Sequence, residues 1–396
     1  MKRSVICLLL VATASFVTAQ VKSRNAAVPT GEITLLERVA DIEKKNDWFN
    51  LYLNMNGSFD AKFNQDGMNG LSEGAFRINQ LRIEAKGKVN DWLSYRWRQR
   101  LNRDNDGSND IDNAPTSIDI AGIGVKLSDK WSLFAGKQCA AYGGFEFDLN
   151  PIEIYQYSEI INNMSNFMTG LTVTYDFNPN QQLQFQVLNS LNEGVENTYG
   201  ANLEKSRMPL VYTLNWNANM FGGFWQTRWS VSVMDEVKDK YMYYVALGNQ
   251  FNFSKKCNMY IDFMSSTEEL DRKGIMTNML GGKTFFDDHN AYDAMYNSVV
   301  AKVNYRFKPK WNVFAKGMLE SAAMFKSNEG VEKGNYRTSV GYLAGIEYYP
   351  MDTNLHFYMT FVGQTNLFTE RAKMFGNDDY STQRVSVGFI YQLPVF

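Results

Sequence analysis

Hydrophobic and polar residues alternate along most of this chain. Between residues 81 and 103 the sequence reads LRIEAKGKVNDWLSYRWRQRLNR. Read with a period of two, this stretch has an apolar side and a polar side, and the polar side carries six Lys or Arg residues and one acid, Glu84. The alternation pauses at Asn90-Asp91 and then resumes. The pattern predicts a β-hairpin with one apolar face and one basic face.

The same alternation recurs from residue 48 to the end and predicts sixteen strands. Besides the two strands of the hairpin, the runs lie at 48–63, 116–127, 131–138, 167–177, 182–189, 209–220, 224–234, 240–253, 257–265, 295–307, 311–320, 335–349, 354–366 and 383–396. Tight turns alternate with mostly longer polar connections, as periplasmic turns and outer loops do in bacterial membrane barrels. We therefore expect an all-β fold in which residues 48–396 form a 16-stranded antiparallel transmembrane β-barrel.

Tryptophan positions favour the same fold. Five of the eight tryptophans stand at a strand start, just after the periplasmic side: Trp48, Trp92, Trp131, Trp225 and Trp311. Equivalent positions in five strands are hard to explain by packing in a core. They are typical of the aromatic girdle at a membrane interface.

The amino terminus predicts export. Residues 1–19 contain Lys2-Arg3, an apolar run too short for a membrane helix of roughly 20 residues and small residues ending at Ala19, which together indicate a signal peptide. A single-pass anchor is the alternative. In residues 20–47 we expect a short helix from about Glu32, lying on the periplasmic end of the barrel or forming a small oligomerising coil.

Composition narrows the chemistry further. The chain has 40 Lys and Arg against 42 Asp and Glu, so binding to nucleic acid is not expected. Cys7 leaves with the signal, and Cys139 and Cys257 are either isolated thiols or one bridge. The two histidines, His289 and His356, have no Ser-His-acid spacing and no metal-ligand cluster around them. We expect no enzyme activity, catalytic residue, metal or cofactor.

The basic face of the hairpin is expected to line a pore. One Arg facing lipid at mid-membrane costs about 2–4 kcal/mol, so these side chains should point into the lumen, which in a 16-stranded barrel is wide enough for water. The same reasoning applies to four basic residues of later strands. The predicted pore-lining residues are Arg82, Lys86, Lys88, Arg96, Arg98, Arg100, Lys302, Arg306, Lys316 and Arg337.

The connection at 138–166 differs from an ordinary outer loop. It is rich in aromatic and apolar residues and has no Lys or Arg, but it contains four acids: Glu146, Asp148, Glu153 and Glu159. A loop this apolar is expected to fold against the inner wall rather than stand in water. Its acids could then face the basic residues of the hairpin across a constriction. The alternative is that the loop and the hairpin never meet.

Four segments resemble one known family: Phe76-Arg77, 81–87, 91–96 and 133–137 just before the third loop. They are similar to the phosphate-selective porin O/P family of bacterial outer membranes, and the resemblance covers about residues 48–396. It implies a trimer of 16-stranded barrels, each with its own pore, constricted by an inward-folded third loop and lined by basic residues. Members selective for phosphate also place basic residues on that loop, whereas here the loop is acidic.

These observations together predict a porin in the bacterial outer membrane. We expect passive diffusion of small hydrophilic solutes with a mild anion preference, because a basic wall of low dielectric raises the local anion concentration. The expected partners are outer-membrane lipid, other copies in a homotrimer, and small anions or polar solutes as permeants. A phosphate- or polyphosphate-selective channel is one alternative. An outer-membrane adhesin or scaffold without conductance is another.

Overall fold

The structure, a computed structural model, describes residues 47–64, 70–103, 111–328, 330–351 and 354–395. The predicted signal peptide and the predicted helix in 20–47 lie outside these residues. The described part of the chain forms sixteen strands: β1 Asn50–Asn64, β2 Leu71–Lys88, β3 Leu93–Arg100, β4 Ile118–Lys126, β5 Trp131–Cys139, β6 Phe167–Asn178, β7 Gln181–Asn189, β8 Leu210–Met220, β9 Trp225–Val237, β10 Lys240–Ser254, β11 Cys257–Leu270, β12 Tyr292–Lys308, β13 Trp311–Met324, β14 Gly334–Tyr348, β15 His356–Phe368 and β16 Tyr380–Pro394.

Each strand pairs antiparallel with the next in sequence, and β1 pairs with β16 to close the barrel. The predicted fold class is therefore confirmed. The largest difference in bounds is β2, which begins ten residues earlier than the expected Leu81. This extension pairs with β1 alone, since the β2–β3 ladder starts at Arg82. A register shift in the β1–β2 ladder between Asn56 and Gly57 breaks the alternation there, so no regular pattern marked the extension in the sequence.

The outer surface of the barrel is apolar, and its strands alternate as the sequence predicted. In β9, Val231 and Val233 are exposed while Ser230 and Ser232 are buried on the inner side. Exposed valines in successive outward positions suit a lipid contact. At the strand starts, Trp48, Trp92 and Trp131 are exposed, as an interfacial girdle requires.

The inner surface combines polar and apolar regions. Buried apolar side chains cover the inner face of β9–β12, including Met234, Met242, Tyr244 and Met264. They form one cluster with residues of the third loop, which we define as 140–166. This apolar part of the inner wall is what the apolar loop packs against. Open space remains along β2–β7.

The connections contain short helices and 3₁₀ turns. The helices are Phe145–Asp148, Glu159–Asn162, Val195–Tyr199, Ile275–Met279 and Glu370–Lys373, and the 3₁₀ turns are Pro151–Glu153, Phe221–Gly223 and Lys283–Phe286. Across the ranges that the structure describes, no helix combines the length and the apolar character needed to cross a membrane.

Candidate functional site

The third loop folds into the barrel, as the sequence predicted. Near its start, the backbone N–H groups of Phe145 and Glu146 donate to the carboxylate of Asp262 on β11, at 2.9 and 2.7 Å. Further along, the ring of Tyr155 stacks on Phe314 of β13 with ring centroids 5.0 Å apart. These contacts lie on the inner wall, so the loop crosses the lumen and narrows it.

Tyr155 also connects the loop to β14 and β16, close to the β1–β16 pair that closes the barrel. Its hydroxyl donates to Glu347 of β14 at 2.8 Å, and its carbonyl accepts from Arg384 of β16 at 2.8 Å. Gln80 of β2 donates to the carbonyl of Pro151 at 2.7 Å. The loop is therefore held on several sides of the barrel, by charged and uncharged contacts.

Two of the four loop acids face away from the basic hairpin. Glu146 pairs with Lys316 on β13, and both side chains are buried. Glu159 pairs with Arg337 on β14. Lys316 and Arg337 were predicted as pore-lining residues, but in the structure they bind the loop to the wall. The expected opposition of these acids to the hairpin is therefore replaced by ion pairs on other strands.

The other two loop acids lie beside open space. Asp148 pairs with Arg228 of β9 and remains partly exposed. Asp148 and Glu153 both line a cavity whose wall also contains Arg96 and Arg98. These two acids are thus the ones that share a water-accessible space with the basic hairpin.

Three arginines of the hairpin converge on one carboxylate. The Nε atoms of Arg82, Arg98 and Arg100 lie 3.6, 3.3 and 2.8 Å from carboxylate oxygens of Asp119 on β4. Asp119 is 1% exposed. Three positive charges around one negative charge leave this cluster, which we call the arginine cluster, with a net charge of two positive units.

Asp119 was missed in the sequence because of its phase in the strand. Strict alternation would place it on the lipid side with Ala121 and Ile123, which face outward. The β3–β4 register shifts at this point, so that Arg98 pairs with Ile120 while Gln99 pairs with Ile118. Asp119 is the extra residue of this β-bulge and turns inward. The sequence did contain a signal for this bulge, because alternation placed the carboxylate of Asp119 on the lipid-facing side.

The remaining basic residues of the hairpin occupy different depths. Arg96 donates to Glu84 at 2.9 Å. Lys86 lies 5.0 Å from the ring centroid of Tyr52, and Lys88 is exposed at the end of β2. Arg96 and Lys86 line the inner of the two cavities described below, whereas Lys88 lines neither.

Two predicted residues of β12 contact aromatic rings. The Nζ atom of Lys302 lies 4.8 Å from the ring centroid of Phe314, and the guanidinium of Arg306 lies 5.4 Å from that of Tyr349. Neither residue lines the two cavities described below. Their positive charges therefore lie away from the open space along the hairpin.

Lys137 on β5 is a second residue that alternation missed. It is 4% exposed and pairs with Asp112 at 2.8 Å. Before it stands Gly136, with a φ of 122° and its Cα so close to the neighbouring strand that an added Cβ would lie 2.3 Å from the carbonyl oxygen of Ala121. Only glycine fits this close approach. Beyond this irregular point, Lys137 lines a cavity instead of facing lipid.

Two cavities run along the basic wall. The outer cavity has a volume of about 600 Å³ and is lined by four basic residues and one acid: Arg82, Arg100, Arg103, Lys137 and Glu193. The inner cavity has a volume of about 520 Å³ and is lined by three basic residues and three acids: Lys86, Arg96, Arg98, Glu84, Asp148 and Glu153. The outer cavity is thus positive, whereas the inner one is balanced.

The two cavities share part of their lining. Five residues line both cavities: Pro151, Tyr157, Ile161, Asn166 and Phe167. We call this shared region the eyelet; of the arginine cluster, Arg82 and Arg100 line the outer cavity beside it and Arg98 lines the inner one. Burial raises the pKa of the Tyr157 phenol above its usual value, so that this side chain is neutral.

Nothing in the site resembles a metal centre. Within the residues that the structure describes, no group of three or more His, Cys, Asp and Glu could hold a metal ion. The chemistry available at the eyelet is therefore that of guanidinium groups, carboxylates and aromatic rings.

A closed 16-stranded barrel with a loop folded into a charged lumen defines the porin class of outer-membrane channels. Within that class, the chain matches the family described as phosphate-selective porin O and P over residues 49–393, and it belongs to this family. It is therefore a porin of the bacterial outer membrane. No curated protein sequence matches the chain.

Solved structures with the same fold include three outer-membrane proteins. The outer membrane channel DcaP of Acinetobacter baumannii is 13% identical, with a TM-score of 0.59 over 87% of this chain and 97% of that one. An anion-selective porin from Comamonas acidovorans is 8% identical, with a TM-score of 0.56 over 87% and 99%. OmpT of Vibrio cholerae in its trimer form is 11% identical, with a TM-score of 0.51 over 87% and 100%.

Proposed function

We propose that this porin is a passive diffusion channel for small hydrophilic solutes with a mild anion preference. The observation that carries the proposal is the arginine cluster at the eyelet, where Arg82, Arg98 and Arg100 surround the single carboxylate of Asp119. A net positive charge at the eyelet attracts anions and repels cations, and walls of low dielectric strengthen this effect.

The distribution of charge between the cavities supports a mild preference. The outer cavity carries an excess of basic residues and would concentrate anions at the entrance. The inner cavity is balanced, because Glu84, Asp148 and Glu153 offset its three basic residues. An anion that has passed the eyelet therefore meets no further excess of positive charge that would retain it. This favours conduction, which requires that binding be weak enough to release the ion.

We also propose a homotrimer embedded in outer-membrane lipid. Two facts support it: OmpT of Vibrio cholerae, which shares this fold, has been solved in a trimer form, and the outward faces of the strands are apolar. The basic residues proposed to act on permeants are those beside the cavities, namely Arg82, Lys86, Arg96, Arg98 and Arg100.

The test is the reversal potential of the protein in a planar bilayer under a potassium chloride gradient. The wild type should be anion-selective. Replacing Arg98 and Arg100 together with Gln should lower the ratio of chloride to potassium permeability by roughly fivefold per charge in dilute salt, and so by about 25-fold for the pair. The matched control replaces Lys130 and Lys255 with Gln, since both lie exposed in periplasmic turns. This control should leave the ratio near that of the wild type.

Other outcomes would assign other functions. Cation selectivity of the wild type would contradict the role of the arginine cluster. Block of the chloride current by low concentrations of phosphate would favour a phosphate- or polyphosphate-selective channel. A folded protein without any conductance would favour an adhesin or scaffold.

A further inference from the structure

The eyelet has two chemically different walls. Four of the five residues that line both cavities are apolar or aromatic: Pro151, Tyr157, Ile161 and Phe167. They belong to the third loop and the first position of β6. The facing wall consists of guanidinium groups. A permeant at the eyelet is therefore in contact with hydrocarbon on one side and positive charge on the other.

The two walls are joined at Phe167. The guanidinium carbons of Arg98 and Arg100 lie 5.1 and 5.4 Å from the centroid of its ring. Both distances are in the range of cation–π contacts. These contacts orient the arginines next to the apolar wall, so a single small solute can touch both.

The inner cavity continues the same arrangement. Its lining includes Phe134, Phe147 and Leu149 together with Arg96 and Arg98. Phe147 and Leu149 belong to the third loop and its apolar packing. A solute that crosses the eyelet with its apolar part towards the loop can therefore keep that orientation beyond it.

Compact anions and amphipathic anions both lose water of hydration at the eyelet, but they gain different contacts in exchange. Inorganic phosphate is strongly hydrated, and on the third-loop side of the eyelet the donors are few, namely the amide of Asn166 and the hydroxyl of Tyr157. The apolar residues of this wall remove more water than these two donors replace, which is unfavourable. A carboxylate attached to an aromatic ring can place its oxygens on the guanidinium groups. Its ring can pack against Tyr157 or Phe167.

We propose that the channel favours monovalent organic carboxylates bearing an aromatic or branched apolar group over compact, strongly hydrated anions. This inference rests on the proposed anion-preferring channel and specifies its substrate class. Selection takes place at the eyelet, through the third-loop wall opposite the arginine cluster.

The test compares permeabilities of benzoate, acetate and phosphate from reversal potentials in planar bilayers, with potassium as the common cation. Benzoate is larger than acetate and diffuses more slowly in water, so a simple water-filled pore gives a benzoate-to-acetate ratio below one. Here the ratio should exceed one by roughly two- to tenfold, the range that one aromatic contact contributes. The phosphate-to-acetate ratio should be below one.

Two variants locate the effect. Phe167→Leu and Tyr157→Leu remove a ring from the eyelet but keep an apolar side chain, so each should lower the benzoate-to-acetate ratio by a larger factor than it changes the chloride-to-potassium ratio. Phe185→Leu removes a ring that is exposed on the outer surface and should change neither ratio. If a variant does not form channels, the wild-type ratios still decide the matter.

The possible failures are distinct. A wild type that is anion-selective in potassium chloride but has a benzoate-to-acetate ratio below one would overturn this inference alone. Lack of conductance, or cation selectivity in potassium chloride, would overturn the proposed function itself. An equal loss of ratio in Phe185→Leu and Phe167→Leu would exclude the eyelet as the place of selection.

Discussion

Asp119 is the residue whose replacement most directly tests the charge balance of the pore. Its carboxylate lies within 4 Å of three arginines and is 1% exposed. In Asp119→Asn the side chain keeps its shape and one oxygen acceptor for Arg100, but the negative charge is lost. The net charge of the arginine cluster then rises from two to three positive units.

Coulomb's law sets the size of the effect. A monovalent ion about 5 Å from the added charge interacts with it by about 0.8 kcal/mol in a water-like dielectric. A Debye length of about 10 Å at 0.1 M salt reduces this to about 0.5 kcal/mol. The occupancy of anions rises and that of cations falls by the same factor, so the ratio of their permeabilities should rise about fivefold.

The assay is the reversal potential at 0.1 M and again at about 1 M salt, where the Debye length of about 3 Å should suppress most of the change. Asp129→Asn is the matched control, because Asp129 is a carboxylate in an exposed periplasmic turn beside Lys126. It should leave the ratio unchanged. A shift of Asp119→Asn towards cations, or an unchanged ratio in low salt, would refute the reasoning.

Two further predictions concern the architecture that supports the eyelet. Glu146→Gln removes the buried carboxylate that pairs with Lys316. Breaking a buried ion pair costs about 3–5 kcal/mol, so the loop should be held less firmly. Single-channel currents should then become noisier, and the midpoint of thermal unfolding should fall. Gly136→Ala introduces a Cβ that would lie 2.3 Å from the Ala121 carbonyl oxygen, at a φ of 122°. It should destabilise the barrel by about 1–3 kcal/mol, measured as a lower midpoint of denaturant unfolding.

Each of these two changes has a matched control. Glu196→Gln neutralises an exposed acid of an outer loop that lines neither cavity and should leave the current noise unchanged. Gly317→Ala adds a methyl group in a strand with no atom within 4 Å of the new Cβ, and the barrel should retain its stability. Quiet channels in Glu146→Gln would show that the other contacts of the loop are sufficient to hold it.

The fold followed from the sequence because its signals are local and repeated. Alternation places each side chain on one of two faces, and the same pattern of an apolar and a polar face recurs from strand to strand. Tight turns and girdle tryptophans such as Trp92 and Trp131 mark one end of the barrel without any knowledge of its interior. The inward course of the third loop was likewise visible, since an apolar connection without Lys or Arg is unsuited to water.

The charge pairing could not be read in the same way. Lys316 and Arg337 face inward as alternation predicts, but whether an inward base lines water or binds the loop depends on where the loop lies. Asp119 and Lys137 were missed because each follows or forms an irregularity in its strand, at a bulge and at a glycine of positive φ. One residue out of phase reverses the face of a side chain.

The sequence by itself thus determined the class of protein, the number of strands, the apolar exterior and the basic character of the hairpin at 81–103. The tertiary structure decided which of those bases remain beside open space, which carboxylates offset them, and that the facing wall of the eyelet is apolar. The physical reason is the separation along the chain of the residues that set each feature. A strand's two faces are set by neighbours two residues apart, whereas the contact of Arg98 with Phe167 joins positions that only closure of the barrel and entry of the loop bring together.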